Sequence, residues 1–236
     1  MSAPTRNYTV AIDDAGRRCL RTGASYSLTC LTDTQWVKLF GRRMTKPKRY
    51  GCGSYACVYE SDEAGKVIKL TTDPGDVHTT MGAQGIPGVV TLYSALQIAG
   101  NDERWAMRVE KLTPTAASET LSDGLKCARR TPAVKVHAQC CDMQIVRALK
   151  TAARIPVADT VSSCLSLMAM VQQTSDAFRE RKLLFFDWHA ANLGRNAKGK
   201  WKILDLGYNV DYVADRPVLK GARSRKRRRK LNLAML

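Results

Sequence analysis

The sequence predicts an α+β chain in which an antiparallel sheet comes first and helices follow. Short runs rich in Val, Tyr and Ile occupy residues 51–112, and turn-forming segments such as DPGD and AGNDE separate them. From about residue 141 the apolar residues recur with a helical period instead. A chain of 236 residues is long enough to bury a substantial core, as one large domain or as two small lobes.

The first 50 residues are predicted to form an N-terminal extension. The weakly alternating segment NYTVAI and the polar segment RRCLRTGAS predict that this extension is loosely packed. Thr32 or Asp33 is expected to cap a short helix, DTQWVKLFG, that ends at Gly41.

Residues 51–112 are predicted to form a sheet of four or five antiparallel strands. The strand candidates are YACVYE, KVIKL, GVVTLYSALQI and RWAMRVEKL. Residues 113–215 should then be mainly helical. One helix should end before Pro156, and its apolar face consists of Cys141, Ile145, Leu149 and Ala152.

A second helix is expected from about Ala158 to Lys182, with Val161, Leu165 and Met168 on one apolar stripe. Both stripes are interpreted as core positions without chemistry. Two short strands, around LLFF and KWKILDL, should follow this helix.

The formal charge of +17 is concentrated at the C-terminus, where residues 216–236 carry nine Lys or Arg and no acid. The run GARSRKRRRK is predicted to be disordered, because its charges repel one another and it has nothing to pack. It is either a solubilising tail or a contact for nucleic acid, another polyanion or an acidic partner. A second basic patch, GRRMTKPKRY, precedes residue 51.

Eight scattered cysteines form no CxxC pair, and only three histidines are present to complete a metal site. We expect reduced thiols in a cytoplasmic protein. The first residues contain no secretory apolar region, and the longest apolar passage is too short to span a bilayer, so no membrane contact is predicted.

The segment GCGSYACVY contains two glycines, Gly51 and Gly53, at which a missing Cβ would let the backbone approach a phosphate. Lys69 lies in the next apolar strand, where its ammonium must reach an anion or water. Taken alone, the glycines are equally consistent with a turn and the lysine with a sheet edge.

Three polar residues in FFDWHAANLGRNAKGKWKILDLG complete the candidate site. Asn192 and Asp205 offer the oxygen ligands that a hard divalent cation prefers, and Asp187 would remain free to orient or deprotonate a hydroxyl. Each of the three could separately be a turn residue. Their order along the chain, after the glycines and Lys69, favours one phosphate and metal site.

These segments resemble the protein-kinase superfamily. GCGSYACVY is similar to the glycine-rich loop, VIK to the strand lysine, DWHAAN to the catalytic loop and DLG to the metal-binding tripeptide. The FDxHxxN form, the GIP segment, the short C-terminal part and the basic tail resemble the early serine/threonine protein kinases of lytic short-tailed bacteriophages. The resemblance implies a bilobal kinase-like fold, with an antiparallel N-lobe sheet over 51–112, a reduced helical C-lobe over 113–215 and a basic tail over 216–236.

The resemblance also implies roles for individual residues, with ATP and Mg²⁺ as cofactors. Lys69 would contact the α- and β-phosphates, Asp187 would accept the proton of the substrate hydroxyl, and His189 would neutralise the transferred phosphate. Asn192 and Asp205 would hold Mg²⁺. The remaining cofactor-binding residues would be Gly51, Gly53, Ser54, Tyr55, Ala56 and Val58 around the phosphates. Glu110 to Leu112 would be the hinge, whose backbone groups pair with adenine.

Two departures from the kinase pattern stand out. Ala56 replaces the third glycine of the loop, and TTDPGDVHTTMGAQGIPG, from Thr71 to Gly88, contains no glutamate to pair with Lys69. Either Asp73 or Asp76 substitutes for that glutamate, or the ion pair is absent.

The expected function is transfer of the γ-phosphate to Ser or Thr of host proteins in the host cytoplasm. Host transcription or translation machinery, RNA polymerase included, would be the target. The alternatives are a kinase-shaped binding protein that inhibits a partner such as RNA polymerase, and a small-molecule phosphotransferase.

Overall fold

A computed structural model describes residues 10–23, 27–98, 104–122, 125, 143–154, 160–181, 183 and 188–206. Within these ranges the chain is α+β, with antiparallel sheets before two long helices, as the sequence predicts. No described helix is both long enough and apolar enough to cross a membrane. Asp187, Gly207 and the basic tail lie outside the described residues.

The central sheet has five strands in the order β4-β5-β6-β8-β7, and all neighbours are antiparallel. Its strands are β4 (Arg49–Cys52), β5 (Ala56–Glu60), β6 (Lys66–Thr71), β7 (Leu92–Gln97) and β8 (Trp105–Glu110). A short helix, α2 (Pro74–Gly82), connects β6 to β7. The predicted strand segments are confirmed, although GVVTLYSALQI becomes a strand only from its fifth residue.

The N-terminal residues fold into a second, three-stranded sheet and one helix. The sheet consists of β1 (Ala11–Ile12), β2 (Arg18–Arg21) and β3 (Leu28–Leu31), and the helix is α1 (Asp33–Phe40). Thr32 is the N-cap in a capping box with Gln35, and Gly41 is the C-cap, so the predicted helix is confirmed.

Loose packing is wrong for the described part of this N-terminal region. Leu31 on β3 is fully buried and shares one apolar core with Trp36 and Phe40 of α1 and with Tyr59 and Ile68 of the central sheet. The sequence did not reveal this because each strand here has at most four residues, too few to show a clear alternation.

The expectation of reduced thiols is also wrong for four cysteines. Cys19 and Cys30 face each other on β2 and β3, and Cys52 and Cys57 face each other on β4 and β5; each pair forms a disulfide. Strand register brings both pairs together, and the spacing of the cysteines in the sequence does not predict that register. Cys164 is a buried free thiol.

The second half of the molecule packs two helices against a small sheet. The helices are α3 (Met143–Ala153) and α4 (Thr160–Glu180), close to the predicted bounds, and the sheet contains β9 (Thr113–Pro114), β10 (Leu193–Arg195) and β11 (Trp201–Ile203). Leu149, Ala152 and Met168 are buried in the shared core, as their stripes predict. Leu165 is only partly buried.

Backbone hydrogen bonds join β11 to the segment that leads into β7. The amide of Ile203 donates to Gly88 O at 2.7 Å, and the amide of Val90 donates to Ile203 O at 3.2 Å. On the α4 side, the Thr174 hydroxyl donates to Pro87 O at 2.6 Å. These contacts fix β11 beside the central sheet and thereby position the residues that follow β11.

Candidate active site

The candidate site starts from one face of the central sheet. Strand register sets Val58, Lys69 and Met107 side by side on β5, β6 and β8, and Val67 and Val109 lie two residues along on the same face. These apolar side chains form one buried cluster with Leu112 and the partly buried Leu204. Lys69 is therefore a buried cation, 6% exposed, on an apolar face.

Two carboxylates meet the Lys69 ammonium. Its Nζ lies 2.7 Å from Asp76 Oδ2 and 3.4 Å from Asp205 Oδ1. Asp76 is buried in the first turn of α2, whereas the Asp205 side chain remains 42% exposed. Both contacts are ion pairs without hydrogen-bond geometry, so the N–H donors of the Lys69 ammonium remain to be satisfied.

The local sequence explains why Asp76, and not Asp73, pairs with Lys69. Asp73 is the N-cap of α2, where its carboxylate accepts the amide of Gly75 at 2.8 Å, and Pro74 starts the helix. Helix geometry then turns Asp76 toward the sheet. Asp76, in the first turn of this nine-residue helix, therefore takes the place of the missing glutamate as the acidic partner of Lys69.

Electrostatics favours a charged lysine at this position. Burial by itself would lower the pKa of Lys69, but the charges of Asp76 and Asp205 outweigh it and raise the pKa. Burial raises the pKa of Asp76 to about 7, while the Lys69 ammonium opposes the shift. Asp76, the carboxylate nearest the ammonium, is therefore protonated more readily than an ordinary aspartate.

Asn192 and Asp205 lie on chain segments that are joined through the backbone. Residues Ala190–Asn192 form a 3-10 turn, and the amide of Leu204 donates to Asn192 O at 2.7 Å. The structure therefore brings Lys69, Asn192 and Asp205 into one region. The amide oxygen of Asn192 and the carboxylate of Asp205 are suitable ligands for a hard cation.

His189 is exposed and caps the 3-10 turn. Its Nδ1 accepts the amide of Ala191 at 3.1 Å, so in this arrangement Nδ1 carries no proton. A role toward a phosphate would have to use the other ring nitrogen. Asp187, the expected proton acceptor, precedes this turn and is not among the described residues.

The hairpin between β4 and β5 carries the glycines. A Cβ at Gly51 or Gly53 would meet nothing within 4 Å, so one side of the backbone is open to a ligand. The amide of Gly53 donates to Ala56 O at 2.8 Å, which closes the hairpin, and Ser54 and Tyr55 are exposed at its tip. Ala56 is buried in the ladder opposite Thr71, which explains why a third glycine is not needed there.

The N-terminal sheet supports this hairpin from behind. A Cβ at Gly23 would lie 2.6 Å from Ser54 O, and the Gly23 amide donates to Cys57 Sγ at 3.2 Å. The Thr72 amide holds Tyr55 O at 2.9 Å from the other side. The hairpin tip is therefore held by two separate segments, around Gly23 and Thr72, a feature that sequence reasoning missed.

Several contacts hold Glu110 at the start of the expected hinge. Its carboxylate contacts Lys202 Nζ at 2.8 Å and accepts Asn196 Nδ2 at 3.0 Å, and its amide donates to Thr91 O. The Lys111 amide donates to Gly65 O. Of residues 110–112, only Leu112 has an amide without a hydrogen-bond partner in the described part of the chain, so Leu112 is the residue able to bind a ligand acceptor through its N–H.

Comparison with known proteins adds no assignment. No protein-family model and no curated protein sequence matches the chain. The site is therefore interpreted from its own geometry and chemistry.

Proposed function

We propose that the protein is an ATP-dependent serine/threonine protein kinase with a bilobal kinase-like fold. In this proposal the central sheet belongs to the N-lobe, and α3, α4 and the β9–β11 sheet belong to a reduced C-lobe. The observation that carries the proposal is the buried Lys69 ammonium, which lies between Asp76 and Asp205 on an apolar sheet face beside an open glycine hairpin.

The apolar face suits a nucleotide base. Val58, Val67 and Val109 line the same side of the sheet as Lys69, and Leu112 follows at the end of β8. A base lying against these side chains would come within reach of the Leu112 amide. The triphosphate would then extend toward Lys69 and the backbone of residues 51–56, where no side chain blocks its approach at either glycine.

The remaining residues fit a phosphoryl-transfer site. Mg²⁺, held by Asn192 and Asp205, would neutralise phosphate charge. Lys69 orients the phosphates, and Asp76 holds the lysine in place and charged. Asp187 would accept the proton of the attacking hydroxyl. Such a site works mainly by positioning and by charge compensation, so loss of one charged group should remove most of the activity.

Host proteins, including transcription or translation machinery such as RNA polymerase, are the proposed substrates. A kinase-shaped inhibitor would need only to bind RNA polymerase, without nucleotide. A small-molecule phosphotransferase would transfer no γ-phosphate to proteins. A basic tail that binds acidic partners or nucleic acid would serve the protein kinase and the inhibitor equally.

The test is incubation of the purified protein and Mg²⁺ with γ-labelled ATP and a host lysate. Label should pass to proteins, and Asp205→Asn should abolish the transfer. Asp176→Asn is the matched control, because Asp176 is an exposed aspartate on α4 that pairs with Arg179. Equal labelling by the wild type, Asp205→Asn and Asp187→Asn would overturn the proposal.

A further inference from the structure

A compact polar cluster joins the end of β8 to the β10–β11 hairpin. Lys202 Nζ lies 2.8 Å from Glu110 Oε2, 3.1 Å from Val89 O and 3.2 Å from the Thr91 hydroxyl. The other Glu110 oxygen accepts Asn196 Nδ2 at 3.0 Å. One lysine and one glutamate thus connect three segments that are far apart in sequence.

The cluster is partly shielded from water and electrostatically matched. The side chains of Lys202 and Glu110 are only 18% and 16% exposed. Burial would raise the pKa of Glu110, but the hydrogen bonds from Lys202 and Asn196 outweigh it and lower the pKa. Glu110 is therefore charged at neutral pH, and its attraction to Lys202 is less screened than that within a fully exposed pair.

The position of Lys202 on β11 connects the cluster to Asp205. Asp205 follows Lys202 by three residues, and β11 itself has only three residues. Within the described part of the chain, its backbone contacts to the central part of the molecule involve residues 88–90 alone. The ion pair with Glu110 connects the Lys202 side chain to β8, and β8 is the neighbour of β6, the strand that carries Lys69.

We infer that Glu110 and Lys202 are positioning residues for the proposed phosphoryl transfer, and that the Glu110 side chain is not a ligand of the nucleotide. The pair fixes β11 against the sheet and so maintains the placement of Asp205 opposite Lys69. This inference rests on the proposed kinase function. It assigns to the Glu110 side chain a task different from base recognition, because the carboxylate contacts Lys202 and Asn196 within the protein.

The experiment compares Lys202→Met, Glu110→Gln and the conservative Lys202→Arg with the wild type. Lys198→Met is the control, because Lys198 is an exposed lysine in the turn of the same hairpin. In the unliganded protein, hydrogen exchange at the amides of Ile203 and Val90 should be faster in Lys202→Met. The Mg²⁺ concentration for half-maximal ATP binding by calorimetry should rise about tenfold, as is usual when supports of metal ligands are removed.

Lys202→Arg should recover most of the Mg²⁺ affinity, whereas a purely structural lysine would show a lower melting temperature without any change in Mg²⁺ dependence. A Lys202→Met protein with wild-type exchange and wild-type Mg²⁺ dependence would overturn the positioning role alone. A nucleotide affinity that falls in Glu110→Gln but not in Lys202→Met would restore Glu110 as a ligand and also overturn it. A wild-type protein that neither binds ATP nor transfers phosphate would overturn the proposed function, and this inference with it.

Discussion

Removal of Asp76 should destabilise the protein, because it leaves the Lys69 ammonium buried without its nearest partner. Asp76 is 2% and Lys69 6% exposed, so water cannot replace the lost contact. Breaking one side of a buried ion pair costs about 3–5 kcal/mol. Asp205, at 3.4 Å and partly exposed, still compensates some charge, and we therefore expect Asp76→Ala to lose about 3 kcal/mol, the lower end of that range.

A double variant separates the pair from simple loss of packing. Lys69→Met combined with Asp76→Leu replaces the ions with apolar side chains of similar size, which is often neutral for stability. Urea unfolding, followed by circular dichroism, should therefore show the double variant to be more stable than Asp76→Ala. If Asp76→Ala stays within about 1 kcal/mol of the wild type, or the double variant is the less stable of the two, the buried-pair reasoning is wrong.

Three further outcomes are expected from urea unfolding. Burial raises the pKa of Tyr59 from 10 to about 12, so stability present below pH 10 should be lost as the pH rises to 12, and Tyr59→Phe should reduce that loss. A Cβ at Gly88 would overlap Met170 and Thr174 at a positive φ, so Gly88→Ala should cost about 2–3 kcal/mol, against about 1 kcal/mol for the unobstructed Gly199→Ala. Reduction of the Cys19–Cys30 disulfide, which closes a short loop, should cost about 3 kcal/mol, and a protein equally stable with and without dithiothreitol would argue against the bond.

The elements that the sequence predicts well are those whose signals are local. Thr32 caps the start of α1 and Gly41 caps its end, and both signals lie in one short segment. The helix could therefore be located without knowledge of the elements that pack against it. The alternation in KVIKL likewise places Lys69 on the face opposite Ile68 and Leu70, which lie in a different core cluster.

What the sequence could not predict depends on contacts between distant segments. Which aspartate reaches Lys69 is decided by where α2 starts, and that start depends on an Asp-Pro cap inside a segment that shows no helical apolar period. The contact between Glu110 and Lys202 could not be predicted either, because most of the second half of the chain separates the two residues. The disulfides depend on strand register in the same way.

The burial of Trp36 and Phe40 beneath the central sheet has a practical consequence for work with shortened proteins. A recombinant fragment starting at residue 51, where the glycine motif begins, would remove α1 and the N-terminal sheet and would uncover Tyr59 and Ile68 to solvent. Such a fragment should aggregate when expressed, and inactivity measured on it would say nothing about catalysis. Limited proteolysis should accordingly spare β2, β3 and α1.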